Sequence, residues 1–116
     1  MKSDNIIKDK SYNFSLKIIK IYQELTKDRK EFIISKQLIR SGTSIGANIE
    51  EAIGAQSRKD FISKISISYK ETRETLYWLH ILTDSDFLNK QQSDTLIYDC
   101  EELLKIIGSI LKTSKS

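Results

Sequence analysis

Between Gln37 and Glu74 the chain sets apolar residues in a helical rhythm that passes through two glycines without losing phase. Ile34, Leu38, Ser41, Ile45, Ile49 and Ala52 follow at spacings of 4-3-4-4-3, the signature of one buried helix face. The rhythm predicts a single helix over residues 31–55. Gly42 and Gly46 each cost such a helix roughly 1 kcal/mol relative to alanine, so they point to close approach by a neighbouring backbone. A break over Ser41–Ser44, with Thr43 or Ser44 capping a new helix, is the competing reading. It would be expected to lose the phase.

The segment Gln56–Asp60 reads as a tight turn, with Ser57 as N-cap and the Asp60 carboxylate near the free N–H groups of a new helix. That helix, residues 58–83, has its seam at Phe61, Ile65, Ser68, Thr72, Leu76, Leu79 and Leu82. The two helices make an antiparallel hairpin with arms of about 37 Å, at about 1.5 Å per residue. Hairpin register then sets Asn48 against Lys64, Ser44 against Ser68 and Arg40 near Glu71. An unpaired polar group near the seam would cost about 1–3 kcal/mol. An interhelical network of Arg40, Asn48, Glu51 and Glu71 is therefore expected, the alternative being that they are boundary residues facing water.

Two more helices complete the pattern. Residues 10–26 carry Ser11, Phe14, Ile18, Ile21 and Leu25 on one face, widened by Ile19 and Tyr22. Asn89 and Gln92 form a capping-box signature for a helix over 90–112, whose seam is Leu96, Cys100, Leu103, Ile107 and Ile110. Thr113–Ser116 are expected to fray. Cys100 reads as a small buried hydrophobe. The chain has no proline, as expected where nearly every residue sits inside a helix. Short turns make consecutive helices neighbours, so the expected fold is all-α: one domain, an antiparallel up-down-up-down four-helix bundle.

Charge divides unevenly. Residues 1–40 carry a net +5, residues 41–80 balance, and residues 81–116 carry −2. Lys10, Lys17, Lys20 and Lys27 recur on one face of the first helix, a basic stripe that could meet nucleic acid. Such a stripe is also what the solvated side of an amphipathic helix looks like. The third helix is too apolar for one seam: Ile62, Ile67, Tyr77, Trp78 and Ile81 lie beside it. Tyr and Trp are enriched at interface hot spots, so this surplus marks a candidate subunit interface. The competing view has the large rings capping the bundle end.

At these residues a family resemblance becomes specific. Ser44-Ile45-Gly46-Ala47-Asn48-Ile49-Glu50-Glu51-Ala52, then Ser57-Arg58-Lys59-Asp60-Phe61, then Lys70-Glu71-Thr72-Arg73-Glu74-Thr75-Leu76-Tyr77-Trp78-Leu79 closely resemble the four helix bundle proteins, also called the 23S rRNA intervening-sequence proteins. The resemblance implies a bacterial antiparallel bundle assembled as a five-fold ring, encoded within or near insertions in large-subunit rRNA genes, without established enzymatic activity. The accessory variability determinant of diversity-generating retroelements is similar, and implies a basic pentamer that binds nucleic acid. The chain departs from the family pattern at Ala52, commonly glycine, and in the turn Lys27–Glu31, which often holds a proline.

Several classes of chemistry lack their residues. A di-iron bundle needs Glu-x-x-His on two helices, and His80 is the single histidine. Glu50 and Glu51 point about 100° apart on a helix and form no acid–base couple. The small-xxx-small spacing of Gly42 and Gly46 lacks the Gly-Lys-Ser/Thr of a phosphate loop. No catalytic residue, metal ligand or cofactor is expected, and the chain is not expected to be an enzyme. The longest uncharged runs, Ser41–Ile49 and Thr75–Thr83, are nine residues each, far short of the roughly 20 that span a bilayer. Met1–Lys10 lacks the apolar stretch of a signal peptide, and the lone cysteine offers no disulfide, so a cytoplasmic protein is expected. The expected partners are copies of itself, with RNA or DNA on the basic stripe. The alternative is a protein–protein scaffold or adaptor that touches no nucleic acid.

Overall fold

Ile7 extends the apolar phase of Ser11, Phe14, Ile18, Ile21 and Leu25 by one more turn, and the first helix accordingly starts well before residue 10. In the computed structural model, which describes residues 3–116 and side chains from Ile6 onward, α1 spans Ser3–Lys27. Met1 and Lys2, part of the Met1–Lys10 segment on which the localisation expectation rests, lie outside the described residues. Ile7 is buried with the other five. Each of the five apolar side chains among them, taken out of water, stabilises the fold by about 1.5–3 kcal/mol.

The second helix, α2, spans Ile34–Ile53 and runs unbroken through Gly42 and Gly46, so the phase argument holds and the break at Ser41–Ser44 does not occur. It starts three residues later than the rhythm predicts because Glu31 is used as a cap. The Glu31 carboxylate accepts from the backbone N–H groups of Ile33, Ile34 and Ser35 at 3.1, 2.9 and 2.6 Å. Burial works against its charge, but the bonds from Ile34, Ser35 and Ile33 outweigh it and hold the carboxyl below its ordinary range. Before it, Lys30 adopts the left-handed conformation (φ 57°), letting the Glu31 N–H close on the Leu25 carbonyl at 2.9 Å.

α3 spans Arg58–Asp84, and the Ser57 side chain accepts from the Asp60 N–H at 3.0 Å, as the turn sequence predicts. α4 spans Lys90–Lys115 behind a complete capping box. Asn89 accepts from the Gln92 N–H at 2.8 Å while Gln92 accepts from the Asn89 N–H at 3.1 Å. Thr113–Lys115 are helical rather than frayed; the Arg58 guanidinium donates to the Ser114 carbonyl and ties this end to the start of α3.

Each helix packs on the next, α1 closes on α4, and the diagonal pairs do not pack on one another among the described residues. Cross-helix contacts run antiparallel in every packed pair: Lys8 to Glu50 and Ile18 to Gly42, Arg40 to Glu71 and Glu51 to Lys64, Thr72 to Cys100 and Arg58 to Ser114, Lys10 to Glu102 and Lys17 to Asp99. The described chain is therefore an all-α, antiparallel four-helix arrangement without strands, 44 × 22 × 21 Å in extent. The tightest seam, α2 on α3, is lined by small side chains. Ser41 and Thr75 are hydrogen-bonded across it at 2.9 Å, and the Ser68 hydroxyl donates to the Ile45 carbonyl at 3.0 Å, all four residues being buried. Among the described residues no buried side-chain nitrogen or oxygen lacks a partner, as a stable interior requires.

Candidate functional site

The expected interhelical network divides into two clusters and leaves one member out. Arg40 bridges α2 to α3, donating to Glu71 at 3.3 Å and to Glu74, whose carboxylate also accepts from the Trp78 indole at 2.9 Å. The Trp78 and Arg40 bonds hold the Glu74 carboxyl below its ordinary range, while the Glu74 bond raises the Arg40 guanidinium further. Farther along the hairpin, Lys64 sits 3.9 Å from Glu51 and 3.3 Å from Asp60. Asn48 joins neither: its amide donates to the Ser44 carbonyl one turn back, at 2.9 Å. Glu74, Trp78 and Lys64 thus do part of the work assigned from the sequence to Asn48 and Glu51.

The basic stripe is partly neutralised from across the bundle. Lys10 pairs with Glu102 at 3.2 Å and Lys17 with Asp99 at 2.6 Å, both carboxylates belonging to α4. Lys20 and Lys27 make no ion pair among the described residues and are exposed. Clefts along this α1–α4 seam are lined by lysine, glutamate, glutamine and threonine with a few aliphatic residues beneath. They hold no convergent set of polar groups that would orient a small molecule.

The candidate interface on α3 also divides. Ile67 and Tyr77 are exposed, whereas Ile62, Trp78 and Ile81 are half-buried and Trp78 packs against the core. Tyr77 stacks edge-on against Trp78, with ring centroids 5.0 Å apart. Sequence reasoning missed a second apolar face. On α1, Tyr12, Leu16 and Ile19 are 63, 50 and 37% exposed and follow at i, i+4, i+7, opposite the buried seam. Ile19 therefore points outward and does not widen the core face. Phe32, 59% exposed in the α1–α2 turn, stands over the last turn of α1, sharing a shallow cleft with Gln23, Thr26 and Lys27.

Groups that could carry covalent chemistry are secluded or scattered. Cys100 is fully buried, its thiol donates to the Thr72 carbonyl at 3.5 Å, and burial with Glu101 and Asp99 nearby pushes it up to about 12. No cluster of three or more His, Cys, Asp or Glu residues that could hold a metal ion occurs among the described residues. No helix among them is long and apolar enough to cross a membrane.

With this geometry in hand, comparisons with known proteins are specific. A family model described as 23S rRNA-intervening sequence protein matches residues 3–109. The structure is similar to a crystal structure of a protein with unknown function from the S23 ribosomal protein family of Bacteroides thetaiotaomicron. The TM-score is 0.93 at 47% identity, covering 96% of this chain and 99% of that one. A search of curated proteins finds no match.

Proposed function

The chain belongs to the 23S rRNA-intervening sequence protein family, and from that premise we propose that it acts without catalysis, by assembling with copies of itself into a ring. The observation that carries this reading is the pair of unlike apolar faces on α1 and α3. α1 and α3 are diagonal helices, so Tyr12, Leu16 and Ile19 look away from one side of the bundle while Ile67 and Tyr77 look away from the other. Two different sticky faces on opposite sides favour head-to-tail contact, which closes into a ring when the rotation allows. A five-fold ring is the closure implied by the resemblance in the second and third helices. Sedimentation equilibrium tests the proposal: the expected mass is five times the 13.4 kDa of the chain, and a monomer at micromolar concentration removes it.

A second reading, nucleic-acid binding on the α1 lysines, is favoured by Lys20 and Lys27, the two members of the stripe that no carboxylate neutralises among the described residues. Reversing these two to glutamate tests it cleanly. Reversing Lys10 or Lys17 would set two carboxylates face to face. If the Lys20→Glu/Lys27→Glu protein binds RNA at low salt as the parent does, the α1 stripe is a solvated face; if the parent itself does not bind, assembly without nucleic acid takes its place.

A further inference from the structure

α3 sorts its charges by side. Three of its four acids, Asp60, Glu71 and Glu74, are engaged by cations, Asp60 by Lys64 and the other two by Arg40 from α2. On the outward face beside them, which Glu74 borders, Lys59, Ser63, Ser66, Lys70, Arg73 and Tyr77 follow at spacings of 4-3-4-3-4, and His80 continues the row. All are exposed except Ser66, which is half-exposed, and Tyr77 is 57% exposed. None of the cations makes an ion pair among the described residues. At about 1.5 Å per residue the row runs about 30 Å along one helix face, with no carboxylate in it until Asp84.

We propose that this flank of α3 is a contact surface for unpaired nucleic acid. Lys70 and Arg73 meet neighbouring phosphates and Lys59 one farther along the strand, the Ser63 and Ser66 hydroxyls donate to backbone oxygens between them, and Tyr77 stacks on a base. A phosphodiester chain fits better than an acidic peptide. Lys70 and Arg73 lie within about 5 Å of each other along the axis with Lys59 about 16 Å away, so a charged strand can run from one to the other over the serines between, and a flat exposed ring at the Arg73 end suits the face of an unpaired base. The α1 stripe is the weaker candidate by the same criterion, since half of its lysines are already paired with α4. On α4, Glu101 is exposed one residue on from Cys100, which bonds to Thr72 across the seam, so a carboxylate flanks the middle of the row. Its charge opposes binding. The inference shares with the second reading above only the class of partner; it concerns a different helix, does not require the ring, and competes with the ring contact for Tyr77, which only one of the two can cover.

The experiment is fluorescence anisotropy of labelled oligonucleotides of about 12 nucleotides, U-only and dT-only, from about 50 to 200 mM salt. Lys70→Gln with Arg73→Gln is expected to weaken binding about tenfold or more at the low end. Two lost contacts also reduce the log–log salt slope by about 1.4 for a single strand. Tyr77→Ala is expected to lose about tenfold while Tyr77→Phe stays within about twofold, and Glu101→Gln is expected to tighten binding. Lys20→Gln with Lys27→Gln is expected to bind as the parent, and light scattering on every variant separates lost assembly from lost binding. Equal affinity for the two oligonucleotides assigns the contact to phosphate and base, and preference for U adds the 2′-hydroxyl. A parent that does not bind at the lowest salt, or a Lys70/Arg73 variant that binds like it, overturns the proposal. Loss of binding confined to the Lys20/Lys27 variant overturns it too, and returns the site to α1.

Discussion

Gly42 of α2 lies directly against Ile18 of α1: a β-carbon at Gly42 would come within 2.9 Å of Ile18 Cγ2 and 3.0 Å of Cγ1. Ile18 is fully buried and β-branched, so it has little freedom to retreat. Gly42→Ala is expected to cost about 1–3 kcal/mol in spite of alanine's better helix propensity. At Gly46 the same atom would stand 3.4 Å from Ser11, an ordinary contact. Gly46→Ala is expected to gain up to about 1 kcal/mol. Thermal melts of the two variants should move in opposite directions, and parallel shifts would remove the distinction.

Glu31 gives the fold an acid-sensitive joint. Its carboxyl is held below its ordinary value of 4.5 in the folded chain. The stabilisation is therefore complete above the unfolded value and is lost as pH falls through the folded one. Glu31→Gln should lower stability at pH 7 by about 1 kcal/mol, the usual scale of a lost cap. Its denaturation midpoint should approach that of the parent as pH drops below about 4. A constant gap between the two proteins across that range would show that the charge plays no part.

Lys30 occupies a left-handed backbone conformation that costs an L-residue with a β-carbon roughly 1–2 kcal/mol. Lys30→Gly is expected to stabilise the α1–α2 turn by about 0.5–1 kcal/mol, the gain being trimmed by glycine's extra freedom when unfolded. Urea denaturation should show a higher midpoint at unchanged slope.

Leu16 stands half-exposed at the centre of the outward face of α1. In the proposed ring Leu16→Glu places a charge in a buried contact, and the assembly is expected to fall to monomers by light scattering while circular dichroism keeps its helical signal. An assembly of unchanged mass would mean that this face meets only water.

What could be read from the sequence follows from what is local. Seam positions such as Leu38, Ile45, Ile49, Ile65 and Leu79 obey one periodicity and needed no partner to be found. The Ser57 and Asn89 caps act within three residues, and they too were legible. Ion pairing was not, because whether Lys17 is neutralised depends on Asp99, 82 residues away, and on the register of α1 against α4. Asn48 was misassigned because a half-buried amide on a helix can satisfy itself on the carbonyl one turn back. The outward row of Tyr12, Leu16 and Ile19 escaped because its hydrophobicity blends into that of the true core face until exposure separates them. The cationic flank of α3 escaped for the converse reason: its acids and bases nearly cancel along the sequence and divide only around the helix.

The pairing of each helix with its successor makes most of the architecture local, while α1 against α4 is the smallest of its four seams and joins the chain's first helix to its last. Low contact order of this kind goes with rapid folding. The close-packed α2–α3 hairpin is the expected nucleus, and closing the α1–α4 seam, with its lysine–carboxylate pairs, is the step expected to carry the largest loop-closure entropy. Mutations in that last seam should act mainly on how fast the chain unfolds, and those around Ser41 and Thr75 on how fast it folds.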